Sequence, residues 1–294
     1  MAKKYLVKPF IKWAGGKTQL LTKLLEYTPP NFHTFYEPFL GSGAFFFRLF
    51  SEGLIKNAVL ADLNGDLINC YRAIRKNPYA VIDKIDELKK ERARQDPEKH
   101  YYDIRDNMRN NVKAWDKLKS HEKAAIFIYL NKTCFNGLYR ENKKGEFNVP
   151  VGSYKNIHFY EEDNLVEASK ALKSAMLLEP MDFEKVFKVC KPKKNDFVYL
   201  DPPYDPINGS ATASFTAYTK SSFGKNEQER LAQLFGKLDK ANCHAMLSNH
   251  NTDYIVSLFN GFKKIKVQAN RLISSKSLNR KNISNDNELL VINF

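Results

Sequence analysis

The chain has 294 residues, of which 43% are hydrophobic and 27% charged, so it can bury a substantial core and is not a disordered chain. Lys and Arg outnumber Asp and Glu by 47 to 33, and the net charge of +14 favours nucleic acid or another anionic surface as the partner. The apolar runs are far below the roughly 18 residues of a membrane-spanning helix, and the four cysteines form no Cys-x-x-Cys pair, so neither a membrane nor a metal is expected.

Short apolar runs alternate with helical patterns in the first part of the chain. Residues 34–37 and 57–61 are predicted to form buried strands, and a helix is predicted to start near Gly43 between them. Residues 65–132 have a helical and strongly charged pattern. Residues 138–149 are predicted to form a hairpin around a Lys-Lys-Gly turn.

Strands and helices alternate again in the last part of the chain. Strands are predicted at 175–178, 197–200 and 245–247, and helices at 182–190 and 226–240. Strands that alternate with helices at this spacing favour a parallel sheet that is covered on both faces.

The sequence therefore predicts one α/β fold that is built from both ends of the chain, with a mainly helical insertion between them. The predicted boundaries are 1–66 for the first part of the α/β fold, 67–174 for the insertion and 175–294 for the second part.

A glycine-rich segment near the N-terminus contains the Gly-Lys-Thr of a phosphate-binding P-loop. A P-loop also needs a glycine five positions before Gly16, and the chain has Ile11 there. This mismatch argues against a nucleoside triphosphatase.

A second glycine-rich segment, residues 37–43 (EPFLGSG), follows a predicted strand and opens a helix, where a Gly-x-Gly turn lets the backbone approach a ligand closely. The third glycine of a dinucleotide fingerprint is absent. Asp62 lies 19 residues after Gly43, near the offset at which an acid binds a ribose hydroxyl. The pair therefore suits an adenosine-bearing ligand, although a tight turn and an ordinary capping Asp explain the same spacing.

The tetrapeptide 201–204 (DPPY) follows a predicted buried strand, so it lies at a carboxyl end, where open α/β sheets bind ligands. A proline-stiffened strand exit with a surface tyrosine is the alternative explanation.

The same tetrapeptide supplies what methylation of an exocyclic amine requires. Such a nitrogen is a poor nucleophile because its lone pair is delocalised into the ring. Asp201 and the carbonyl of Pro202 can accept its two N–H bonds and hold it towards tetrahedral geometry, and Tyr204 offers a flat face for an extruded base. Methylation at carbon-5 of cytosine needs a thiolate nucleophile, usually from a Pro-Cys pair, and no cysteine in this chain follows a proline. The remaining route is direct attack of the amine on the methyl group.

Four motifs in this order resemble the DNA adenine methyltransferase (Dam) family, also called the D12 class, within the alpha group of amino-methyltransferases. They are 10–17 (FIKWAGGK), 36–43 (YEPFLGSG), 147–150 (FNVP) and 201–204 (DPPY), and further matches are 215–218 (FTAY), 248–250 (SNH) and 272–275 (LISS). The resemblance spans nearly the whole chain. It implies a Rossmann-like S-adenosylmethionine-dependent methyltransferase sheet with an inserted, mainly helical DNA-recognition domain and a β-hairpin.

The resemblance also implies S-adenosylmethionine as methyl donor and N6 of adenine in double-stranded DNA as acceptor. By motif position, the implied catalytic residues are Asp201, Pro202 and Tyr204, and Asp201 also touches the cofactor. The other implied cofactor contacts are Trp13, Ala14, Gly15, Lys17, Glu37, Pro38, Phe39, Gly41, Ser42, Gly43, Asp62, Asp182 and Phe183.

Part of the insertion is similar to the family segment that enters DNA and reads GATC. Phe135 is the implied wedge, and Asn136 would contact the opened site. Leu138 and Arg140 would read the outer base pair, since an arginine suits guanine O6 and N7. The remaining implied DNA contacts are Lys12, Pro150 and Tyr154.

The chain departs from the family pattern at Ser153, where some members carry a basic residue, and at Phe135, where some carry Tyr. Residues 254–285 contain seven Lys or Arg and no Asp or Glu. Such runs are often merely solvated, but beside a catalytic cleft we expect this one to grip phosphates.

We therefore expect a bacterial or phage-type enzyme that acts on GATC in double-stranded DNA, in the cytoplasm and associated with the nucleoid. The sequence leaves open whether a cognate restriction endonuclease accompanies it. Two alternatives also stay open: a methyltransferase of cytosine N4 or of RNA adenine, and a DNA-binding module with a decayed catalytic site.

Overall fold

The computed structural model describes residues 5–15, 17, 20–207, 223–267 and 288–294. Some of the positions predicted from the sequence lie outside these residues. They are Gly16, the segments 215–218 and 272–275, and the basic residues Arg271, Lys276, Arg280 and Lys281.

In the described part of the chain, seven strands form one mixed sheet in the order β3-β2-β1-β4-β5-β7-β6. The strands are β1 (Thr34–Glu37), β2 (Asn57–Leu60), β3 (Ala175–Leu177), β4 (Phe197–Leu200), β5 (His244–His250), β6 (Lys263–Val267) and β7 (Glu288–Ile292). The first five strands in this order are parallel to one another, and β7 runs antiparallel to both of its neighbours.

Helices cover both faces of this sheet. The α-helices are α1 (Leu21–Glu26), α2 (Ala44–Glu52), α3 (Gly65–Lys76), α4 (Pro78–Ala93), α5 (Pro97–Tyr102), α6 (Val112–Lys117), α7 (Ser120–Thr133), α8 (Glu162–Lys173), α9 (Phe183–Val189), α10 (Lys225–Lys240) and α11 (Asp253–Leu258). A π-helix (Asp103–Arg109) follows α5, and a 3₁₀-helix (Phe135–Gly137) follows α7. Within the described residues, no helix is both long and apolar enough to cross a membrane.

Alternate side chains of β4 enter two different hydrophobic cores. Phe197 and Tyr199 pack with residues of α1 to α4, α7 and α8, whereas Val198 and Leu200 pack with residues of α9, α10 and α11. All four side chains are buried, because a parallel strand covered on both faces has no solvent side. This explains why the strand is apolar without interruption.

The chain between β2 and β3 is helical from α3 to α8, and its side chains share one core with a face of the sheet. Polar caps fix where these helices begin: Asn64 accepts the backbone N–H of Leu67 at the start of α3, and Asn77 accepts that of Ala80 at the start of α4. The division of the chain at 67–174 stays a prediction.

The predicted hairpin at 138–149 is present as a narrow two-stranded turn. Glu141 and Phe147 form an antiparallel bridge, and the backbone N–H of Asn142 donates to the carbonyl of Glu146 at 2.9 Å. The residues that precede and follow the bridge are therefore held against each other.

The predicted α/β, Rossmann-like fold class is confirmed, and all five predicted strands are present. The sequence analysis did not predict β6 and β7, nor the short α1. Strand β6 lies at the sheet edge and carries Lys263, Lys264 and Lys266, a composition that protects an edge from pairing but hides a strand in the sequence.

Candidate functional site

The strand order of the sheet reverses between β1 and β4, since the chain continues to β2 on one side and to β5 on the other. Ligands of open α/β sheets bind in the crevice at such a reversal, outside the carboxyl ends of the strands. Glu37 ends β1, Asp201 follows β4 and Asp62 follows β2 by two residues. The fold thus places three carboxylates at the edge where a ligand is expected.

An open cleft lies at this edge. It is lined by Trp13, Ala14, Gly15, Lys17, Glu37, Leu40, Gly41, Ser42, Ala44, Phe45 and Asp201. Three separate stretches of sequence therefore meet here: the N-terminal segment, the glycine turn after β1 and the residue that follows β4. Eight of the residues predicted to bind a cofactor lie in this lining.

The glycine turn between β1 and α2 is held open by its neighbours. Gly41 and Gly43 have φ values of +48° and +65°, a conformation that glycine adopts without steric cost. The N–H of Gly41 donates to Asp62 Oδ2 at 2.9 Å, and the hydroxyl of Tyr71 donates to the carbonyl of Gly41 at 2.8 Å. The ring of Trp13 packs so closely on Gly41 that a Cβ there would lie 2.9 Å from Cδ1 of the indole.

Asp62 supports this turn with both carboxylate oxygens. Oδ2 accepts the N–H of Gly41, and Oδ1 accepts the N–H of Asn64 at 2.9 Å. Burial raises the pKa of Asp62 and these backbone donors oppose the rise. Each oxygen keeps a second lone pair, so the predicted contact of Asp62 with a ribose hydroxyl stays a prediction.

Two carboxylates and one ammonium group meet at the floor of the cleft. Lys17 Nζ lies 2.8 Å from Asp201 Oδ1 and donates to the carbonyl of Gly15 at 2.6 Å. The hydroxyl of Ser248 donates to the same Asp201 oxygen at 2.8 Å. Asp201 is therefore held in one orientation by a cation and by a hydroxyl from β5.

Glu37, the second acid, is almost completely buried. Its Oε2 atom has no hydrogen-bond partner among the described residues. Burial raises the pKa of Glu37 well above its ordinary value, and the negative charge of Asp201 raises the pKa further. A buried acceptor without a partner is rare in folded proteins, and this one lines a cleft in which a ligand could supply the donor.

Tyr204 lies below the lysine rather than beside open solvent. Lys17 Nζ is 4.6 Å from the centroid of its ring, and the ring of His250 packs edge-on at 4.9 Å. The hydroxyl of Tyr204 donates to Glu288 Oε2 at 3.4 Å, and burial raises the pKa of the phenol well above its ordinary value. The predicted role of Tyr204 as a platform for a base stays a prediction.

Phe39 and Phe183 lie outside the cleft lining. Their rings pack together at 5.3 Å, and Phe223 contacts both. Asp182 caps α9 by accepting the N–H of Glu184, and it pairs with Arg230 at 2.7 Å. The buried Pro38 and the α2-capping Gly43 are also absent from that lining.

The residues predicted to contact DNA converge around the 3₁₀-helix. Lys12 Nζ lies 3.3 Å from the hydroxyl of Tyr154, which donates to the carbonyl of Cys134 at 2.9 Å. The N–H of Phe135 donates to the carbonyl of Pro150 at 2.8 Å. Phe135 is 47% exposed, so its side chain is accessible to a partner.

Asn136 and Arg140 are exposed on the same segment. Asn136 has a φ of +54°, a left-handed conformation that asparagine tolerates better than most residues. Arg140 Nε donates to Asn148 Oδ1 at 2.7 Å across the hairpin. Asn148 therefore holds the guanidinium in place, a contact that the sequence analysis did not predict.

Sequence reasoning also missed other residues of the site. It assigned no role to Ser248, although the motif 248–250 was a signal. Lys132, which lies outside the cleft lining, is also perturbed: burial lowers the pKa of its amine to about 8, and the charge of Lys12 lowers the pKa further. No group of His, Cys, Asp and Glu suited to a metal ion occurs among the described residues.

Comparisons with known proteins identify the group to which these features belong. Residues 13–273 match the family described as D12 class N6 adenine-specific DNA methyltransferase. The chain is 43% identical to the Type II methyltransferase M.MjaIII of Methanocaldococcus jannaschii, over 98% of this chain and 99% of that protein. It is 37% identical to the Type II methyltransferase M1.LlaDCHI of Lactococcus lactis subsp. cremoris, over 98% and 96%. It is 35% identical to the DNA adenine methylase of Haemophilus influenzae, over 89% and 86%.

The close packing of Trp13 on the glycine turn predicts the effect of a methyl group there. Gly41→Ala should lower the free energy of unfolding by about 1–2 kcal/mol, because alanine pays for the positive φ and its Cβ displaces the indole. Urea unfolding measures this change. Gly236→Ala is the control, since a Cβ at this position in α10 meets nothing within 4 Å and should stabilise the protein by about 0.5–1 kcal/mol. Equal effects of the two substitutions would contradict the packing argument.

The raised pKa of Glu37 predicts a pH-dependent stability. The stability that protonated Glu37 contributes is fully present below its ordinary pKa of 4.5 and is lost as the pH rises through the higher pKa of the folded protein. The wild type should therefore lose up to about 1.4 kcal/mol per pH unit relative to Glu37→Gln between pH 5 and pH 8. Urea unfolding at both pH values tests this, with the exposed Glu98→Gln as control. A difference that does not depend on pH would show that Glu37 titrates normally.

Proposed function

The chain belongs to the D12 class of N6 adenine-specific DNA methyltransferases, and on this premise we propose that it transfers a methyl group from S-adenosylmethionine to N6 of adenine at GATC in double-stranded DNA. The family membership confirms the resemblance that the sequence motifs indicate. The observation that carries the proposal is that Asp201 forms the floor of the same cleft that Trp13 and the glycine turn line.

The residues of the cleft fit S-adenosylmethionine. Its methionine part carries an ammonium group, which can donate to the orphaned Oε2 atom of Glu37. Its adenine base is planar and apolar on its faces, and the indole of Trp13 lines the cleft. The turn at Gly41 and Ser42 lets the ligand approach the backbone, and Asp62 lies behind this turn for the ribose. When bound, S-adenosylmethionine would supply an electrophilic methyl carbon on a sulfonium. Transfer of this methyl to the N6 lone pair would release the neutral thioether S-adenosylhomocysteine, and one proton of the amine would pass to solvent, without a covalent enzyme intermediate.

Asp201 and Pro202 orient the amine for this attack. The carboxylate of Asp201 and the carbonyl of Pro202 accept the two N–H bonds of N6, so that the nitrogen lone pair points away from them. Ser248 supports the proposal because it holds Asp201 in one orientation. The carboxylate also lies next to Lys17, which compensates its charge.

The target adenine must leave the duplex to reach Asp201. Phe135 is exposed and lies next to Asn136, so it can fill the space that a flipped base vacates while Asn136 contacts the opened pair. Arg140 is oriented by Asn148, which suits a guanidinium that reads guanine O6 and N7 in the outer base pair. Lys12 and Tyr154 lie close to this segment and can contact the same site.

We further propose that the enzyme works beside a cognate restriction endonuclease. Two relatives that match almost the whole chain are named Type II methyltransferases. Relatives named DNA adenine methylase share less identity with the chain, at 32–35%.

The position of Asp201 predicts the result of removing its carboxylate. Asp201→Ala should lower the transfer of labelled methyl to a GATC duplex by at least about 100-fold, because the amine loses an acceptor that aligns it. The folded fraction, measured by circular dichroism, should stay unchanged at assay temperature. Asp253→Ala, which removes an exposed carboxylate at the start of α11, is the control. Activity of the Asp201 variant near that of the wild type would exclude the mechanism.

The orientation of Arg140 predicts a loss of discrimination. Arg140→Ala should reduce the preference for G·C over A·T at the outer base pair by about 1–3 kcal/mol, since this contact distinguishes guanine. Methylation rates on GATC and on duplexes changed at the outer pair measure the preference. Arg94→Ala removes an exposed positive charge from the C-terminal end of α4 and should leave the preference intact. If both variants keep the wild-type preference, another residue reads the outer pair.

A further inference from the structure

An aromatic stack connects the cleft to the hairpin. The indole of Trp13, which lines the cleft, stacks on the ring of Tyr139 with centroids 5.4 Å apart and planes inclined by 29°. Tyr139 is only 5% exposed, whereas its neighbour Arg140 is exposed. One ring thus touches the wall of the cleft, and its chain neighbours belong to the segment that we expect to read DNA.

The hydroxyl of Tyr139 is fixed by a charged cluster. It donates to Glu141 Oε1 at 2.6 Å and lies 3.2 Å from Asp66 Oδ2. Arg109 pairs with both acids, at 2.6 Å to Asp66 and 2.9 Å to Glu141, and it also lies 3.3 Å from the Tyr139 hydroxyl. The four side chains are largely buried, and burial together with the charge of Asp66 raises the pKa of Tyr139 well above its ordinary value.

This cluster ties the hairpin to the first turn of α3. Asp66 lies in that turn, four residues after Asp62, which holds the glycine turn. Glu141 forms the bridge of the hairpin. Tyr139 therefore contacts the wall of the cleft through its ring and the first turn of α3 through its hydroxyl.

Packing on the far side of Tyr139 is incomplete. A small cavity, with room for about one water molecule, is lined by Arg109, Phe127, Leu130, Asn131, Leu138, Tyr139 and Phe147. A side chain next to a void can take a second position at a lower cost than one in a filled core. The cavity thus leaves the Tyr139 ring room for a small shift when the indole on its other side moves.

We propose that Tyr139 is a positioning residue that couples occupancy of the cleft to DNA recognition by the hairpin. This inference rests on the proposed function of the cleft and the hairpin. Cofactor contact fixes the indole of Trp13, the indole fixes the ring of Tyr139, and the ring fixes the backbone from which Leu138 and Arg140 project. The protein should then bind its target duplex more tightly with the cofactor site filled, and by linkage it should bind the cofactor more tightly in the presence of DNA by the same factor.

The test measures how strongly filling the cofactor site changes the affinity for DNA. The dissociation constant of the duplex that the wild type methylates is measured with and without saturating S-adenosylhomocysteine, which lacks the transferable methyl group. The ratio of the two constants should be about 5–150 for the wild type, the usual size of coupling between two sites. Tyr139→Leu removes the stack, and Tyr139→Phe keeps the ring but removes the hydroxyl. We expect ratios near 1 for the leucine variant and an intermediate ratio for the phenylalanine variant.

Phe159→Leu is the matched control, because Phe159 stacks on Tyr129 at 5.7 Å and lines neither the cleft nor the cavity. Its ratio should equal that of the wild type, since lost packing alone weakens both measurements alike. Should Tyr139→Leu fail to fold, Tyr139→Phe carries the test, because Arg109 still pairs with both acids in that variant. A wild-type ratio of 1, or wild-type ratios in the folded Tyr139 variants, overturns the inference. Absence of wild-type methylation would instead refute the proposed function.

Discussion

The crowding of two carboxylates at the reversal of strand order is the constraint on which the site depends. Parallel pairing of β1 with β4 brings Glu37 and Asp201 to one edge, where burial makes their charges costly. Lys17 offsets this cost, and it can do so only if the N-terminal segment crosses the carboxyl edge of the sheet. The same crossing places Trp13 on the glycine turn. The N-terminal segment therefore forms one wall of the cleft, and its Lys17 compensates the charge at the strand ends.

The sheet was predictable from the sequence where its strands are buried on both faces. Residues 197–200 are apolar without interruption because helices cover both sides, and such runs stand out between helical patterns. The edge strand β6 has no uninterrupted apolar run that could identify it in the sequence. Strand β6 has only Val267 buried, and its three lysines resemble a solvated charge run. Its pairing with β7 depends on residues that are more than twenty positions away along the chain, which local periodicity does not show.

The candidate site could be located from the sequence where its residues are adjacent in the chain. The glycine turn and the tetrapeptide at 201–204 each place several functional groups within a few residues, so each motif pointed to a ligand site, although spacing alone also fitted an ordinary turn or strand exit. The cluster of Asp66, Arg109 and Glu141 has no such spacing. Each of these residues lies in a helix or hairpin with interleaved charges, where a solvated side chain is the ordinary expectation. Only the fold shows that the three charges are largely buried and paired.

The N-terminal segment also explains how two binding surfaces remain in register. Lys12 and Trp13 are neighbours in the chain, yet Lys12 lies against Tyr154 near the segment that we propose reads DNA, and Trp13 lines the cleft. The buried amide of Asn131 fixes this arrangement, because it donates to the carbonyl of Lys12 and accepts its N–H, at 2.7 and 2.8 Å. The same amide group donates to the carbonyl of Gly137 at 3.2 Å. One side chain of α7 thus ties the N-terminal segment to the 3₁₀-helix, so that a shift of either must displace the other.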